Sequence, residues 1–486
     1  MSPALPHIGP LTVRRLPARF TTFYRAVKAV VLVFSLINAA NPTFAAVKPK
    51  TKKNTAAQHT KPAAKTQKAT RRRGPATKSK HRAAHSTAPD ISPERGTAAA
   101  ESVQATLAEA PANPFLYSRN LDSFFHALAA RQPDSTIRIL QFGDSHTAAD
   151  YYTGAVRESL QSRFGNGGLG YQFPGHPFAG YRLAGSARSQ TSGWVTDGNH
   201  FTHLGDGYVG LGGLSISTSR PNESVTLSTT CTTLQIHYLR QPGGGHLRFT
   251  DNGVFISDID TSAELTDTTP AAGTMTYACT PGLHDFALTT LEHTPVRLLG
   301  LVTEQPGITY ECLGINGAYA PLLLQWNQQL FADYLRQRDP NLIVLAYGTN
   351  EAAQSASRNA DYVYDFNRLL ENLHRIAPGA SILVLGPYDR AMRTGRGRRG
   401  AWHTFEGTDR IIADQKESCR QYHCAFYDQR GRQGGPGSAL RWVSAGLGQP
   451  DRTHLTGTGY RALAQAFYLD LLAAFKRYQT EPELTN

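Results

Sequence analysis

The sequence predicts an α/β sandwich on a mainly parallel sheet, interrupted by an all-β sandwich insertion. Three observations carry that expectation. Ile137–Phe142, Leu342–Tyr347 and Ile382–Leu385 are apolar runs, continuous rather than alternating, as in parallel strands covered on both faces. Stripes at helical spacing lie between and after them, so strand and helix alternate. The stretch from about 185 to 305 is rich in Thr, Ser and Gly and reads as short strands divided by turns.

The elements follow in order. Tyr152, Val156 and Leu160 make the first helical stripe, with Gly165 placed to end it. Val363, Phe366, Leu370 and Leu373 make a second that stops before Pro378, and Leu463, Phe467 and Leu471 a third. In the β-rich stretch, Ser224–Ser228, Thr233–Tyr238, His246–Thr250 and Phe286–Thr290 read as strands. Turn clusters at Gly243-Gly244-Gly245, Asp251-Asn252-Gly253 and Pro281-Gly282 separate them. The insertion is expected either to bind or position a ligand or to act as a structural lid.

The 486 residues carry a formal net charge of +13, which would ordinarily suggest nucleic acid or an anionic membrane as partner. Its placement argues otherwise. Residues 1–86 hold 18 Lys and Arg and no Asp or Glu, and the remaining 400 hold 32 basic against 37 acidic side chains. A basic arm precedes a mildly acidic body. Within the arm, Arg14, Arg15, Arg19, Arg25 and Lys28 precede the nine-residue apolar run Ala29–Ile37, and Thr43 and Ala45 fit a small-residue cleavage site. That is the pattern of a secretory signal over residues 1–45. The run is too short to span a bilayer, which takes about 20 residues; an uncleaved inner-membrane anchor is the alternative. Residues 46–112 are mostly Ala, Thr, Lys, Arg and Pro and read as a disordered linker, either solvated or tethering the protein to an anionic envelope surface. The expected location is periplasmic or secreted, with no nucleic-acid partner and membrane contact only through the N-terminal segment. Five cysteines allow the pairs Cys231–Cys279 and Cys419–Cys424, with Cys312 left over.

Four motifs carry chemistry. Gly143-Asp144-Ser145-His146-Thr147 stands between the first strand and the first helix, where a serine hydroxyl is exposed near backbone amides that can hold an oxyanion. Serine is also a common helix cap there. Asp451-Arg452-Thr453-His454 offers a base and its orienting carboxylate within one short segment. Gly348-Thr349-Asn350-Glu351 follows a central strand, so the Asn350 amide can donate to a developing oxyanion. Gly314-Ile315-Asn316-Gly317-Ala318 can aim a backbone N–H at the same oxygen. The loop Arg390–Arg399 adds five arginines that read either as contacts to an anionic glycan or as a solvated surface loop. Tyr319, Trp402 and Trp442 could stack on sugar rings or serve as packing.

In this order and at these strand ends, the four motifs resemble the SGNH/GDSL hydrolase superfamily. The blocks Gly143-Asp144-Ser145-His146-Thr147-Ala148, Leu313-Gly314-Ile315-Asn316-Gly317-Ala318 and Gly434-Gly435-Pro436-Gly437-Ser438 resemble, more finely, secreted bacterial peptidoglycan O-acetylesterases. In these a β-domain similar to a carbohydrate-binding module interrupts the hydrolase. The resemblance implies a three-layer sandwich, with hydrolase segments at 113–185 and 306–480 around an insertion at 186–305. It implies Ser145, His454 and Asp451 as catalytic residues and the Ser145 and Gly317 amides with the Asn350 side chain as oxyanion hole. It implies removal of O-acetyl groups from a polysaccharide, with no metal and no organic cofactor. The substrate alternatives are peptidoglycan and an acylated exopolysaccharide such as acylated cellulose. Acyl transfer to a sugar and non-catalytic polysaccharide binding are the rival activities.

Overall fold

The computed structural model describes residues 93–480, apart from 110, 112, 199–204, 265, 267, 355–358 and 396–399. Its central sheet has six strands in the order Phe115–Leu116, Ala425–Tyr427, Ser381–Leu385, Leu342–Ala346, Thr136–Gly143, Gly307–Gly314. All neighbours are parallel except the two-residue edge strand. The three apolar runs are its interior. Successive side chains feed two cores: Ile139, Val344 and Leu383 enter one, and Leu140, Leu345 and Val384 the other. The helices Tyr151–Phe164 and Gly457–Thr480 cover the first face. Gln328–Arg338, Asn359–Ile376 and Gly407–Gln421 cover the second. This is the expected three-layer sandwich, and burial on both faces explains why those runs do not alternate.

Register sets where the chemistry can be. Gly143 pairs with Gly314 on one side and Ala346 on the other, and Ala346 pairs with Leu385. Four parallel strands therefore end level.

The insertion is a nine-stranded sheet of antiparallel pairs about its own core, which includes Trp194, Ile216, Leu227, Ile236, Phe249 and Phe286. The short strands expected at Ser224–Ser228 and Thr233–Tyr238 are one continuous strand, Ser224–Arg240, paired with the 20-residue strand Ala271–Thr290. A register shift between Ala278 and Gly282 interrupts that pairing, which lets such long strands bend around a core. The sheet also takes in Gly170–Gln172, so its β structure starts before residue 186. The sulfurs of Cys231 and Cys279 lie 3.7 Å apart across the pair. All five cysteines are free thiols.

The linker reading of 46–112 needs correction at its C-terminal end. Pro93–Ala108 is a 16-residue helix with Val103 buried. Ala and Glu are strong helix formers, and this stretch lacks the Lys and Pro density of the preceding one. Arg432 anchors it, donating to the carbonyls of Thr106 and Leu107 while pairing with buried Asp470 at 2.8 Å. The signal segment, the basic run and the rest of the arm lie outside the described residues. Among the described residues, no helix is long and apolar enough to cross a membrane.

Arg338 joins the insertion to the central sheet. Its Nη2 donates to Glu304, at the end of the last insertion strand, at 2.8 Å, and to Glu311 on the sheet's edge strand. Arg138 also donates to Glu304, at 2.9 Å. Removing Arg338 would leave two carboxylates side by side in a buried site. Arg338→Met is therefore expected to lower the free energy of unfolding by about 3–5 kcal/mol, measured by urea denaturation; a loss below about 1 kcal/mol would show that the seam is dispensable.

Candidate active site

The turn after Thr136–Gly143 is built for close approach. Asp144 accepts the His146 N–H at 2.9 Å and so caps the helical turn Ser145–Ala148. A Cβ on Gly143 would meet Thr147 Oγ1 at 2.1 Å, and one on Gly314 would meet the Ala148 nitrogen at 2.4 Å. Only glycines let the turn settle onto the strand ends. Gln141 then donates to Thr147 at 2.9 Å and accepts from Tyr310 at 2.6 Å.

Ser145 Oγ lies 2.8 Å from His454 Nε2, and His454 Nδ1 lies 2.7 Å from Asp451 Oδ2. The second Asp451 oxygen accepts the backbone N–H groups of Thr453 and His454, each at 3.0 Å. Burial alone would raise the Asp451 pKa, but the hydrogen bond and charge of His454 and the two amides outweigh it and hold the carboxyl at about 2. An ionised Asp451 fixes the imidazole with its proton on Nδ1, so Nε2 faces Ser145 as an acceptor. The arrangement can take a proton from a serine hydroxyl and return it to a leaving group.

His146 was not singled out by the sequence. Its ring stacks on Tyr388 at 4.3 Å and lies 5.1 Å from the His454 ring, with Nδ1 2.8 Å from the Tyr460 hydroxyl. Burial pushes its pKa well below the usual imidazole value, so it stands behind His454 as a neutral wall and adds no competing charge. No periodicity marks such a residue, because its role is set by Tyr388 and Tyr460 from distant segments.

The two other expected residues reach the same end of the sheet. Gly317 has φ +70°, a left-handed conformation suited to glycine. Asn350 Nδ2 donates to the Ala318 carbonyl at 2.8 Å, which leaves its second amide hydrogen for an incoming oxygen. Glu351 ties the two loops together. Its Oε1 accepts from Ala320 N at 2.8 Å and its Oε2 from Gly348 N at 3.0 Å. Arg390, at the root of the expected arginine loop, donates to the Thr349 carbonyl at 2.8 Å. Arg396, Arg398 and Arg399 lie outside the described residues. Trp442 is fully buried and donates to the Gln433 carbonyl, so it cannot stack on a sugar. Tyr319 precedes the short helix Ala320–Gln325, and Trp402 lies beneath the guanidinium of Arg452. Among the described residues, no group of three or more His, Cys, Asp or Glu is placed to hold a metal ion.

Comparison with known proteins agrees with this geometry. A family model for GDSL-like lipases and acylhydrolases matches residues 284–462. That span holds Gly317, Asn350, Asp451 and His454, while Ser145 lies upstream, beyond the insertion. A solved structure of a peptidoglycan O-acetylesterase aligns with a TM-score of 0.60 at 24% identity, covering 75% of this chain and 97% of that one. The matched family model and the shared fold agree with the SGNH/GDSL resemblance of the four motifs. A family two carbohydrate esterase from Clostridium thermocellum, solved with cellohexaose, aligns at 12% identity and a TM-score of 0.27, over 54% of this chain and 95% of that one. No curated protein matches.

The Glu351 carboxyl has a testable signature. Burial raises its pKa to about 7, against the pull of the amides it accepts and with the help of nearby Asp144, itself raised by burial to about 6. A carboxyl whose folded pKa exceeds its unfolded value contributes stability that is full below the unfolded pKa and fades as pH rises through the folded one. Unfolding free energy should thus decline between about pH 4.5 and 7. Glu351→Gln is expected to reduce that decline by about 3 kcal/mol, seen as a flatter pH profile in thermal or urea unfolding. An unchanged profile would contradict the assignment.

Proposed function

We propose that the protein is an exported serine esterase that removes O-acetyl groups from a cell-envelope polysaccharide, with peptidoglycan as its substrate. The observation that carries this reading is the unbroken relay Asp451, His454, Ser145, at 2.7 and 2.8 Å. The substrate follows from the peptidoglycan O-acetylesterase motifs of the sequence, supported by the shared fold over 97% of such an enzyme. Export follows from the signal pattern of residues 1–45.

In the proposed reaction Ser145 Oγ attacks the acetyl carbonyl as His454 Nε2 takes its proton. Asp451 keeps the imidazole in the productive tautomer and stabilises the imidazolium. The Ser145 and Gly317 N–H groups and the Asn350 amide bind the negative oxygen of the tetrahedral intermediate. As the intermediate collapses and the bond from acetyl carbon to sugar oxygen breaks, His454 gives its proton to that oxygen, releasing the sugar hydroxyl and leaving acetyl-serine. Water, deprotonated by His454, cleaves the acetyl-serine and frees acetate.

The purified full-length chain should hydrolyse p-nitrophenyl acetate, and Ser145→Ala should lower kcat by at least about 10³-fold. Asn350→Ala should lower kcat by about 10²–10³-fold with a smaller effect on KM, since the oxyanion exists only beyond the ground state. Equal rates for wild type and Ser145→Ala would overturn the esterase reading. Acetate release from O-acetylated peptidoglycan, set against acetylated cellulose, decides the polymer.

A further inference from the structure

We propose that Cys231 and Cys279 are a disulfide-forming pair that staples the two longest strands of the β insertion, closed by a thiol–disulfide oxidant in the compartment to which the chain is exported. The inference rests on the export part of the reading above and is independent of the esterase chemistry.

The two cysteines belong to Ser224–Arg240 and Ala271–Thr290, which pair along almost their whole length. The pairing slips once. Ala278 opposes Thr233 and Gly282 opposes Cys231, so Thr232 alone faces Cys279, Thr280 and Pro281. Extra residues of this kind change which side chains point inward. On one strand the inward set runs Val225, Leu227, Cys231 and resumes at Leu234 and Ile236. On the other, Met275, Tyr277 and Cys279 pack against the same core, which is taken up again at Phe286. Cys231 and Cys279 each border the slip, and their sulfurs meet there at 3.7 Å.

The bulge is pinned in place. The His284 ring has Nδ1 2.8 Å from Asp251 Oδ2 and Nε2 2.7 Å from the Thr280 carbonyl, and it stacks on Phe286. The Tyr277 hydroxyl donates to Asp251 at 3.2 Å. Both flanks of Cys279 are therefore tied to one buried carboxylate, and little chain entropy remains to be lost when the bond forms. A disulfide needs its sulfurs at about 2.0 Å. The interrupted ladder leaves room for the side-chain rotation that closes the remaining distance.

Cys279 is half-buried and Cys231 fully buried, so the oxidant reaches Cys279 first. The Cys279 thiol gives its proton to solvent, and the thiolate attacks one sulfur of the oxidant's disulfide, whose other sulfur leaves as a thiol. Cys231, deprotonated in turn, attacks the Cys279 sulfur of the mixed disulfide and expels the oxidant's remaining sulfur. Two protein thiols lose two electrons and two protons, and the oxidant's disulfide is reduced to two thiols. Burial, then the neighbouring thiol and the Asp251 charge, push the Cys231 thiol above its ordinary value, and burial raises that of Cys279. Reduction must expel these same sulfurs, and thiols of high pKa leave slowly. The bridge is therefore a lasting staple. Its cysteines are 48 positions apart, with the strands His246–Asp251 and Val254–Asp260 between them, and the gain from a cross-link grows with the loop it closes. Cys419 and Cys424 enclose only four residues, and Cys312 donates to the Thr147 carbonyl at 3.1 Å.

The test equilibrates the purified full-length protein in a glutathione buffer, from a reduced and from an oxidised starting state, then alkylates free thiols and maps peptides by mass spectrometry. One peptide pair should join Cys231 to Cys279, lighter by two hydrogen atoms than its separate halves. The oxidised protein should melt about 5 °C or more above the reduced one, and Cys279→Ser should abolish that difference. Free Cys231 and Cys279 in excess oxidised glutathione, or a bridge between Cys419 and Cys424 alone, would overturn the proposal. So would a melting difference that survives in Cys279→Ser, and the peptide map decides the matter even if that variant does not fold. Mapping the chain straight from cells, with thiols alkylated at lysis, reads export separately. A bridge there supports both readings, whereas free thiols there from a chain that bridges in the buffer would overturn export and leave the pair standing.

Discussion

The whole site depends on four parallel strands that end at one level. Backbone hydrogen bonds align Gly143 with Gly314 and Ala346, and Ala346 with Leu385. Once that register is set, Ser145, Gly317, Asn350 and Arg390 need only emerge two to five residues later to share one rim. A slip of one residue in any pair would move a strand's apolar set to the wrong core. The packing of Ile139, Leu140, Val344 and Leu345 into opposite cores therefore guards the geometry of the rim as well as the stability of the fold. Gly143 and Gly314 complete the constraint, since any larger residue would hold the serine turn away from the strand ends.

Around that rim the carboxylates hold backbone while one of them stays reliably charged. Asp144 caps the serine turn, and Glu351 ties Gly348 to Ala320. Burial keeps both closer to neutrality than free carboxyls. Asp451 differs because it has an imidazole as well as amides to answer it. His146 is neutral beside them. Asp451 is thus the carboxylate that stays charged beside the imidazole it orients.

Much of this was legible in the sequence because local pattern and long-range packing agree. The strands at 137, 342 and 382 are continuous apolar runs, and the helices behind them carry clear stripes. The edge strand Gly307–Gly314 escaped notice because Glu311 interrupts it, and the partner that justifies Glu311, Arg338, lies 27 residues further on. Ala425–Tyr427 is too short to show a period. Helix Pro93–Ala108 was hidden by a compositional reading of the arm, since its stabilising arginine stands more than 300 residues away. Ser145, Asn350, Asp451 and His454 stood out through their motifs. His146, Glu351 and the pairing of Arg452 with Trp402 did not, because each acts through neighbours that only the fold supplies.

The distance along the chain between Ser145 and His454, 309 residues, has a consequence for when the protein becomes competent. Contacts so remote in sequence are gained only after the intervening chain has ordered and its loop-closure entropy has been met. The entire β insertion lies inside that loop. A fragment that stops before residue 454, however well it folds, holds a nucleophile with no base to activate it. Competence for the proposed chemistry waits for the segment that carries His454, and a chain that stops short of it carries the serine in a silent form.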